Sequence, residues 1–211
     1  GQAHHGHDRT FQHRFGAAFP HEVILNYKIR ELQAKDLDPD LLKHFNRYQE
    51  VKKCWRKING QWVLKDAAFV EYWNDALKQE VITVDLTNCL KNGGIVWGVF
   101  DEENKLIGFA SLLAAAFGSK NQYRKLMQLH ISHGYRNMGI GKKLFALCAQ
   151  KAEKMGAEKL YISAHSSEES QAFYTKIGCT DALEIDQSSA EHEPYDRQME
   201  YILGTSKHFS F

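Results

Sequence analysis

From Val23 the apolar positions fall into element-like patterns: Val23-Ile24-Leu25, then Tyr27, Ile29 and Leu32, predict a first strand. Asp38-Pro39-Asp40 supplies an N-cap and a proline for a first helical turn. Leu41, Leu42, Phe45 and Tyr48 continue at helical spacing, which predicts a first helix. Between Val51 and Trp73, Asn59-Gly60 separates two short runs and predicts a small hairpin. Its aromatics, Trp55, Trp62, Phe69, Tyr72 and Trp73, are expected in the core, with a substrate pocket as the alternative. Residues 75–92 fit both periods, because Val81 to Leu86 alternates while Leu77, Val81, Val84 and Ile82, Leu86, Cys89 recur at helical spacing. Segment length and the Gly93-Gly94 stop favour a helix.

Ile95 to Phe100 and Leu106 to Leu113, joined by a polar Asp-Glu-Glu-Asn turn, predict an antiparallel strand pair, and Met127 to Ser132 a further strand. Leu144, Cys148, Ala152 and Met155 then mark one face of a helix over Gly141 to Lys154, stopped by Gly156 and expected to pack on a sheet. Leu160 to Ala164 reads as a strand. Glu168 to Ile177 reads as a short helix, opened by a capping box from Ser166 to Glu169 and closed by Gly178, and Gln198 to Leu203 as a final strand. No internal repeat or interdomain linker interrupts the series.

Composition narrows the picture. A chain of 211 residues with 43% hydrophobic and 25% charged residues can bury a sizeable core, and residues 22–206 are expected to form a single domain. Residues 1–21, with His4, His5, His7, His13 and His21, lack the apolar run of a secretion signal; they read as a disordered or appended tail, a metal-binding role being the alternative. A net charge of +1 gives no bulk electrostatic reason to expect nucleic acid or an anionic membrane as partner. The most apolar stretch, Leu106 to Gly118, is short of the ~20 residues that cross a bilayer, so no transmembrane helix is expected. Cys54, Cys89, Cys148 and Cys179 form no CxxC pair, which favours free thiols, a cytoplasmic setting and no metal site.

The chemistry concentrates in Leu129-His130-Ile131-Ser132-His133-Gly134-Tyr135-Arg136-Asn137-Met138-Gly139-Ile140-Gly141-Lys142-Lys143, which reads as strand, glycine-containing turn, helix. Unpartnered amides at a helix start hold phosphate groups well. A dinucleotide fingerprint would need glycine at 144, where Leu stands, and a P-loop would need Lys-Ser/Thr after Gly139, where Ile140-Gly141 stand.

Arg136-x-x-Gly139-x-Gly141 resembles the Gln/Arg-x-x-Gly-x-Gly/Ala pattern of the GNAT superfamily of acyl-CoA-dependent N-acetyltransferases. Chance alone would give roughly 0.2 such matches in a chain of this length, so context carries the weight. Downstream, Ser167 and Ala172-Phe173-Tyr174-Thr175-Lys176-Ile177-Gly178 are similar to the family's Asn-x-x-Ala and Phe-Tyr-x-Lys-x-Gly-Phe segments, and Gln198 to Leu203 looks like its last strand. Ser167 and Cys179 depart from that pattern, standing where the family often has Asn and Phe. The likeness is sharp over residues 127–178 and extends in element order over about 27–204.

The resemblance implies an α/β fold: a mixed, largely antiparallel twisted sheet with helices on both faces, its fourth and fifth strands splayed between Ser132 and Ala164. Acetyl-CoA would lie in that gap as co-substrate. Its pantetheine arm would pair with Leu129, His130 and Ile131, and its pyrophosphate would sit on the amides of Arg136, Asn137, Met138, Gly139, Ile140, Gly141 and Lys142. Ser167, Ser170 and Tyr174 complete the implied coenzyme contacts, and Lys143 is divided between phosphate contact and surface.

The resemblance also implies transfer of acetyl to a primary amine of a small molecule, peptide or protein, with Tyr174 as general acid. A phenol near pKa ~10 keeps its proton at neutral pH and can pass it to sulfur. Family positions for a base correspond to Lys125 and Met127, neither of which accepts a proton; His130 and His165 are the remaining imidazoles near the cleft. A water relay would need no side chain. Two other readings stay open: a coenzyme A-binding sensor or scaffold without catalysis, and an ATP-binding protein using the same turn. Many members of the family dimerise, so a homodimer is compatible with the resemblance.

Overall fold

Every residue from Leu106 to Leu112 is buried, because this run forms a central strand of a seven-stranded sheet covered on both faces. The computed structural model describes residues 25–204, so the histidine-rich tail and Val23-Ile24 lie outside the described residues. The strands are β1 (Tyr27–Leu32), β2 (Gln49–Ile58), β3 (Gln61–Glu71), β4 (Ile95–Asp101), β5 (Leu106–Leu112), β6 (Tyr123–Ile131), β7 (Lys159–Ala164), β8 (Thr180–Asp181) and β9 (Arg197–Ile202). The main sheet runs β1-β4-β5-β6-β7-β9-β8, and β2 and β3 form a separate hairpin. Among the described residues only the β6–β7 pair is parallel. The expected mixed, largely antiparallel sheet is thus observed; its splayed fourth and fifth strands are β6 and β7, because the hairpin adds two to the count.

Helices cover both faces. On one side, α3 (Ile140–Lys154) buries Ile140, Leu144, Phe145, Cys148, Ala149 and Ala152 against Ile107, Leu126, Leu160, Ile162 and Met199 of the sheet. Each of the larger side chains contributes roughly 1.5–3 kcal/mol of burial. On the other side, α1 (Asp75–Glu80), a π-helical stretch Val81–Leu86 and α2 (Thr87–Lys91) form one continuous rod that buries Val81, Ile82, Leu86 and Cys89 against Val96, Phe100, Leu106 and Phe109. The helix predicted over residues 75–92 is therefore present, with a wider turn in its middle. Two further helices, α4 (Glu168–Ile177) and α5 (Gln187–His192), follow β7 and β8. All four cysteines are buried and free.

Several expectations need correction. No helix follows Asp38-Pro39-Asp40: Leu41, Lys43 and Phe45 each donate to the carbonyl three residues back, giving successive turns. The side chain of Asp38 accepts from the Asp40 N–H and that of Asn46 from the Tyr48 N–H, local bonds that compete with helix propagation. A three-residue 3₁₀ turn, Ala34–Asp36, is the only helical piece of that stretch. The hairpin forms as predicted around Asn59 (φ 50°) and Gly60 (φ 79°), the left-handed pair of a tight turn. Most of its aromatics are not core: Trp55, Trp62 and Phe69 are half-buried and Tyr72 is 64% exposed, because a two-stranded sheet standing off the main one has no second layer on its outer face. Trp73, past the end of β3, instead packs against the core beside Phe45 and Phe109 as expected.

The α4 N-cap is Ser167 rather than Ser166: its Oγ accepts from the Ser170 N–H at 3.2 Å, while the Ser166 carbonyl accepts from the Trp55 N–H at 2.8 Å and ties the hairpin to the sheet. β6 starts at Tyr123, four residues earlier than expected. The short β8 and α5 carried too few apolar positions to be foreseen.

Candidate active site

The parallel pairing of β6 and β7 runs from Tyr123–Lys159 to Leu126–Ile162 and stops there. Beyond it, β6 continues along β5 alone as far as Ile131. The Ser132 N–H donates to the Ile107 carbonyl at 2.8 Å, so the alternate residues Ser132 and His130 spend their backbone groups on β5. Leu129 and Ile131 turn theirs the other way, into the wedge between β6 and β7, where the Arg136 side chain takes the Ile131 carbonyl. An exposed row of main-chain donors and acceptors is a template for an extended ligand.

At the mouth of the wedge, Ser132 to Gly139 forms the glycine turn and α3 begins at Ile140. Gly139 is the N-cap in a left-handed conformation (φ 82°, ψ 0°) with no capping side chain, so the amides of the first turn of α3 stay free. A Cβ on Gly139 would meet nothing within 4 Å, whereas one on Gly141 would meet the Phe173 ring at 3.3 Å. The two glycines therefore answer different demands: backbone conformation at Gly139 and close helix packing at Gly141. Arg136 is fastened by its Nε, which donates to the Ile131 carbonyl at 3.1 Å.

Wedge and turn open into a cavity of about 1160 Å³. Leu129, His130, Ile131, Arg136, Asn137, Gly139, Ile140, Gly141, Lys142, Ser170 and Tyr174 all line it. Three sequence-predicted positions do not border it. Met138 projects outward at 52% exposure, Ser167 is fully buried with its Oγ also accepting from Gln49 Nε2, and His165 lies behind the wedge. Lys143 places its ammonium 5.0 Å from the Tyr27 ring centroid instead. Tyr174 sits in α4, its ring against Phe173 and Phe145, and burial pushes its phenol well above the ordinary range.

The face of β6 opposite α3 carries a polar chain that sequence reasoning missed. Asn46 is stitched to the glycine turn, its N–H donating to Ser132 Oγ at 2.9 Å and its carbonyl accepting from the His133 N–H at 2.7 Å. That anchor delivers the next residue, Arg47, whose Nε donates to His130 Nδ1 at 3.2 Å and whose Nη2 stands 3.6 Å from Glu71 Oε2. Glu71 Oε1 in turn meets His165 Nε2 at 2.7 Å, and His165 Nδ1 accepts from the Ser167 N–H at 3.1 Å. The guanidinium has no lone pair to give, so Nδ1 of His130 is the acceptor and its Nε2, 2.6 Å from Gln128 Oε1, carries the proton. Burial first, then the charges of Arg47 and Arg136, hold His130 well below its ordinary pKa, so the ring is neutral. In both imidazoles the lone-pair nitrogen is already engaged. The hydrogen bond from His165, with the charge of Arg47, holds Glu71 ionised against the opposing effect of burial.

A second carboxylate stands at the end of β7. Asp196 accepts from Ser163 Oγ at 2.9 Å, and burial pushes its pKa up to about 6. Nothing in the sequence marked Arg47, Glu71 or Asp196, since none belongs to a recognisable motif and each gains meaning only from distant partners. Among the described residues no group of three or more metal-ligating side chains comes together, and no helix is long and apolar enough to cross a membrane.

A splayed parallel strand pair, a glycine turn opening a helix and a tyrosine-bearing helix after the next strand define an acyltransferase architecture. Residues 50–179 match the model of the acetyltransferase (GNAT) family, and the chain belongs to that family. No curated protein sequence is close enough to count as a match. Among solved structures, the chain is similar to a Bacillus anthracis str. Ames protein assigned as a streptothricin acetyltransferase and solved with acetyl coenzyme A: TM-score 0.62, 20% identity, covering 85% of this chain and 98% of that one. A nourseothricin acetyltransferase aligns with TM-score 0.58 and 14% identity over 83% and 98% of the two chains. The PaiA N-acetyltransferase of Thermoplasma acidophilum, solved with coenzyme A, aligns with TM-score 0.53 and 18% identity over 84% and 99%. At these identities the likeness shows a shared fold.

Proposed function

We propose that the chain transfers an acetyl group from acetyl-CoA to an amine, with residues 22–206 acting as one catalytic domain. The observation that carries this reading is the edge of β6 left without a partner strand at Leu129 and Ile131, where the Arg136 side chain takes the Ile131 carbonyl, leading directly from the glycine turn toward Tyr174. The pantetheine arm pairs with that edge, and the pyrophosphate lies on the free amides of Gly139 to Lys142 with Arg136 beside it. A neutral amine attacks the thioester carbonyl carbon, and main-chain N–H groups near Ile131 take the developing oxyanion. Collapse breaks the C–S bond; the thiolate receives the Tyr174 proton, and the proton lost by the amine returns through water to the Tyr174 phenolate. Tyr174 holds its proton at neutral pH, as this role requires, its phenol raised above the ordinary range by burial.

Thiol release monitored with a panel of amines tests the assignment. Tyr174→Phe is expected to lower turnover at least tenfold while acetyl-CoA binding by calorimetry stays within about twofold. Unchanged turnover would remove Tyr174 from the mechanism. One observation favours a second reading, a coenzyme-binding module without turnover: the lone pairs of His130 and His165 are both engaged, which leaves no free imidazole base. Coenzyme binding without thiol release for any amine would decide for it.

A further inference from the structure

Arg47 lines the cavity with one of its guanidinium nitrogens buried and unpartnered. Its side chain is only 11% exposed, Nε and Nη2 are committed to His130 and Glu71, and Nη1 is buried with no hydrogen-bond partner among the described residues. An unmade bond at a buried guanidinium costs on the order of 1–3 kcal/mol, so such an N–H calls for an acceptor that the protein itself does not supply. The group is also held still: Asn46 is bonded on both sides to the turn, and the guanidinium stands 5.8 Å from the Trp73 ring centroid.

Its location separates it from the coenzyme. Leu129 and Ile131 pack toward the α3 side of the sheet, whereas His130 alternates to the opposite face, against Trp73 and Phe109. Arg47 is bonded to His130 and so approaches the wedge from the sheet face opposite α3, while still lining the cavity. Its charge is under-compensated. Glu71 offers one oxygen at 3.6 Å and gives the other to His165, and Arg136 adds a second cation nearby; burial lowers the Arg47 pKa more than Glu71 raises it. A neutral carbonyl would satisfy the N–H and leave that charge unbalanced. A carboxylate satisfies both.

We propose that Arg47 determines acceptor choice by binding, through its free Nη1, the carboxylate of an amino-acid-type acceptor, so that the acceptor amine faces the thioester across the β6 edge. The inference rests on the acetyl-transfer reading above and names its substrate class.

The test compares each of the twenty amino acids with its carboxamide, using the full chain, acetyl-CoA and thiol release. The best amino acid is expected to exceed its amide at least tenfold in kcat/KM. Arg47→Gln should reduce kcat/KM for the acid, mainly through KM, at least tenfold more than for the amide, and leave acetyl-CoA affinity unchanged. Arg47→Lys, which keeps the charge, should fall between. Equal wild-type rates for acid and amide, or an equal loss for both in Arg47→Gln, overturns the proposal and leaves acetyl transfer standing. If Arg47→Gln fails to fold, the wild-type acid-to-amide ratio and Arg47→Lys still decide. If acetyl-CoA binds without turnover, calorimetry of the same acid and amide pairs on the coenzyme-saturated protein reads the same preference, and equal affinities overturn it. Absence of acetyl-CoA binding overturns the acetyl-transfer reading and this inference with it.

Discussion

Asp196 offers a quantitative handle on the end of β7. Its carboxyl titrates near 6 in the folded chain because burial disfavours the charged form, with the Ser163 hydroxyl opposing and Glu193 reinforcing the shift. In the unfolded chain it reverts to its ordinary value of 3.8. Between those values the native state holds a proton that the unfolded state has lost, so stability falls as pH rises through about 4 to 6, and above that window the whole penalty is present. About two pKa units correspond to about 3 kcal/mol, reduced to about 2 kcal/mol because water reaches part of the group. Asp196→Asn removes the charge and keeps an oxygen that accepts from Ser163. The variant should match the wild type to within about 0.5 kcal/mol at pH 4 and exceed it by about 2 kcal/mol at pH 7.5. For a chain of this size that is a rise of about 4–8 °C in Tm. Urea unfolding of both proteins at the two pH values measures the difference, and an offset that does not grow with pH would refute the reasoning.

Gly139 and Glu200 lend themselves to the same treatment. Gly139→Ala should cost about 1–2 kcal/mol of stability through its φ of 82° alone, since its Cβ meets nothing, yet weaken acetyl-CoA binding more than tenfold by crowding the phosphate site; calorimetry showing no loss of affinity would move the pyrophosphate off this turn. Glu200 is buried, a condition that raises its pKa, but bonds from Tyr123 Oη, Lys159 Nζ and the Leu183 N–H outweigh that effect and keep it ionised. Glu200→Gln should therefore cost about 2–3 kcal/mol in denaturant unfolding near neutral pH, where the wild-type carboxylate is charged, and less in acid.

What the sequence by itself determined is local. The helix α3, its glycine start, the hairpin turn at Asn59-Gly60 and the closing glycine of α4 are each written within a few residues, because hydrophobic period and positive-φ positions act over one or two turns of chain. The motif around Arg136, Gly139, Gly141 and Tyr174 was legible for the same reason, and those side chains and turns do converge on one cavity. Where local signals competed, sequence failed: the side chains of Asp38 and Asn46 capture backbone N–H groups and turn an apparently helical stretch into successive bends.

Tertiary structure alone decided the polar chain across the wedge. Arg47 meets His130 across 83 positions of sequence, and Glu71 meets His165 across 94. No periodicity encodes such pairs; they exist because the hairpin folds over the end of β7 while the turn after β6 holds Asn46. The wedge itself has the same origin, since whether β6 keeps or loses its partner beyond Leu126 depends on how the twisted sheet packs around α3, and a strand reads identically in sequence with one neighbour or two.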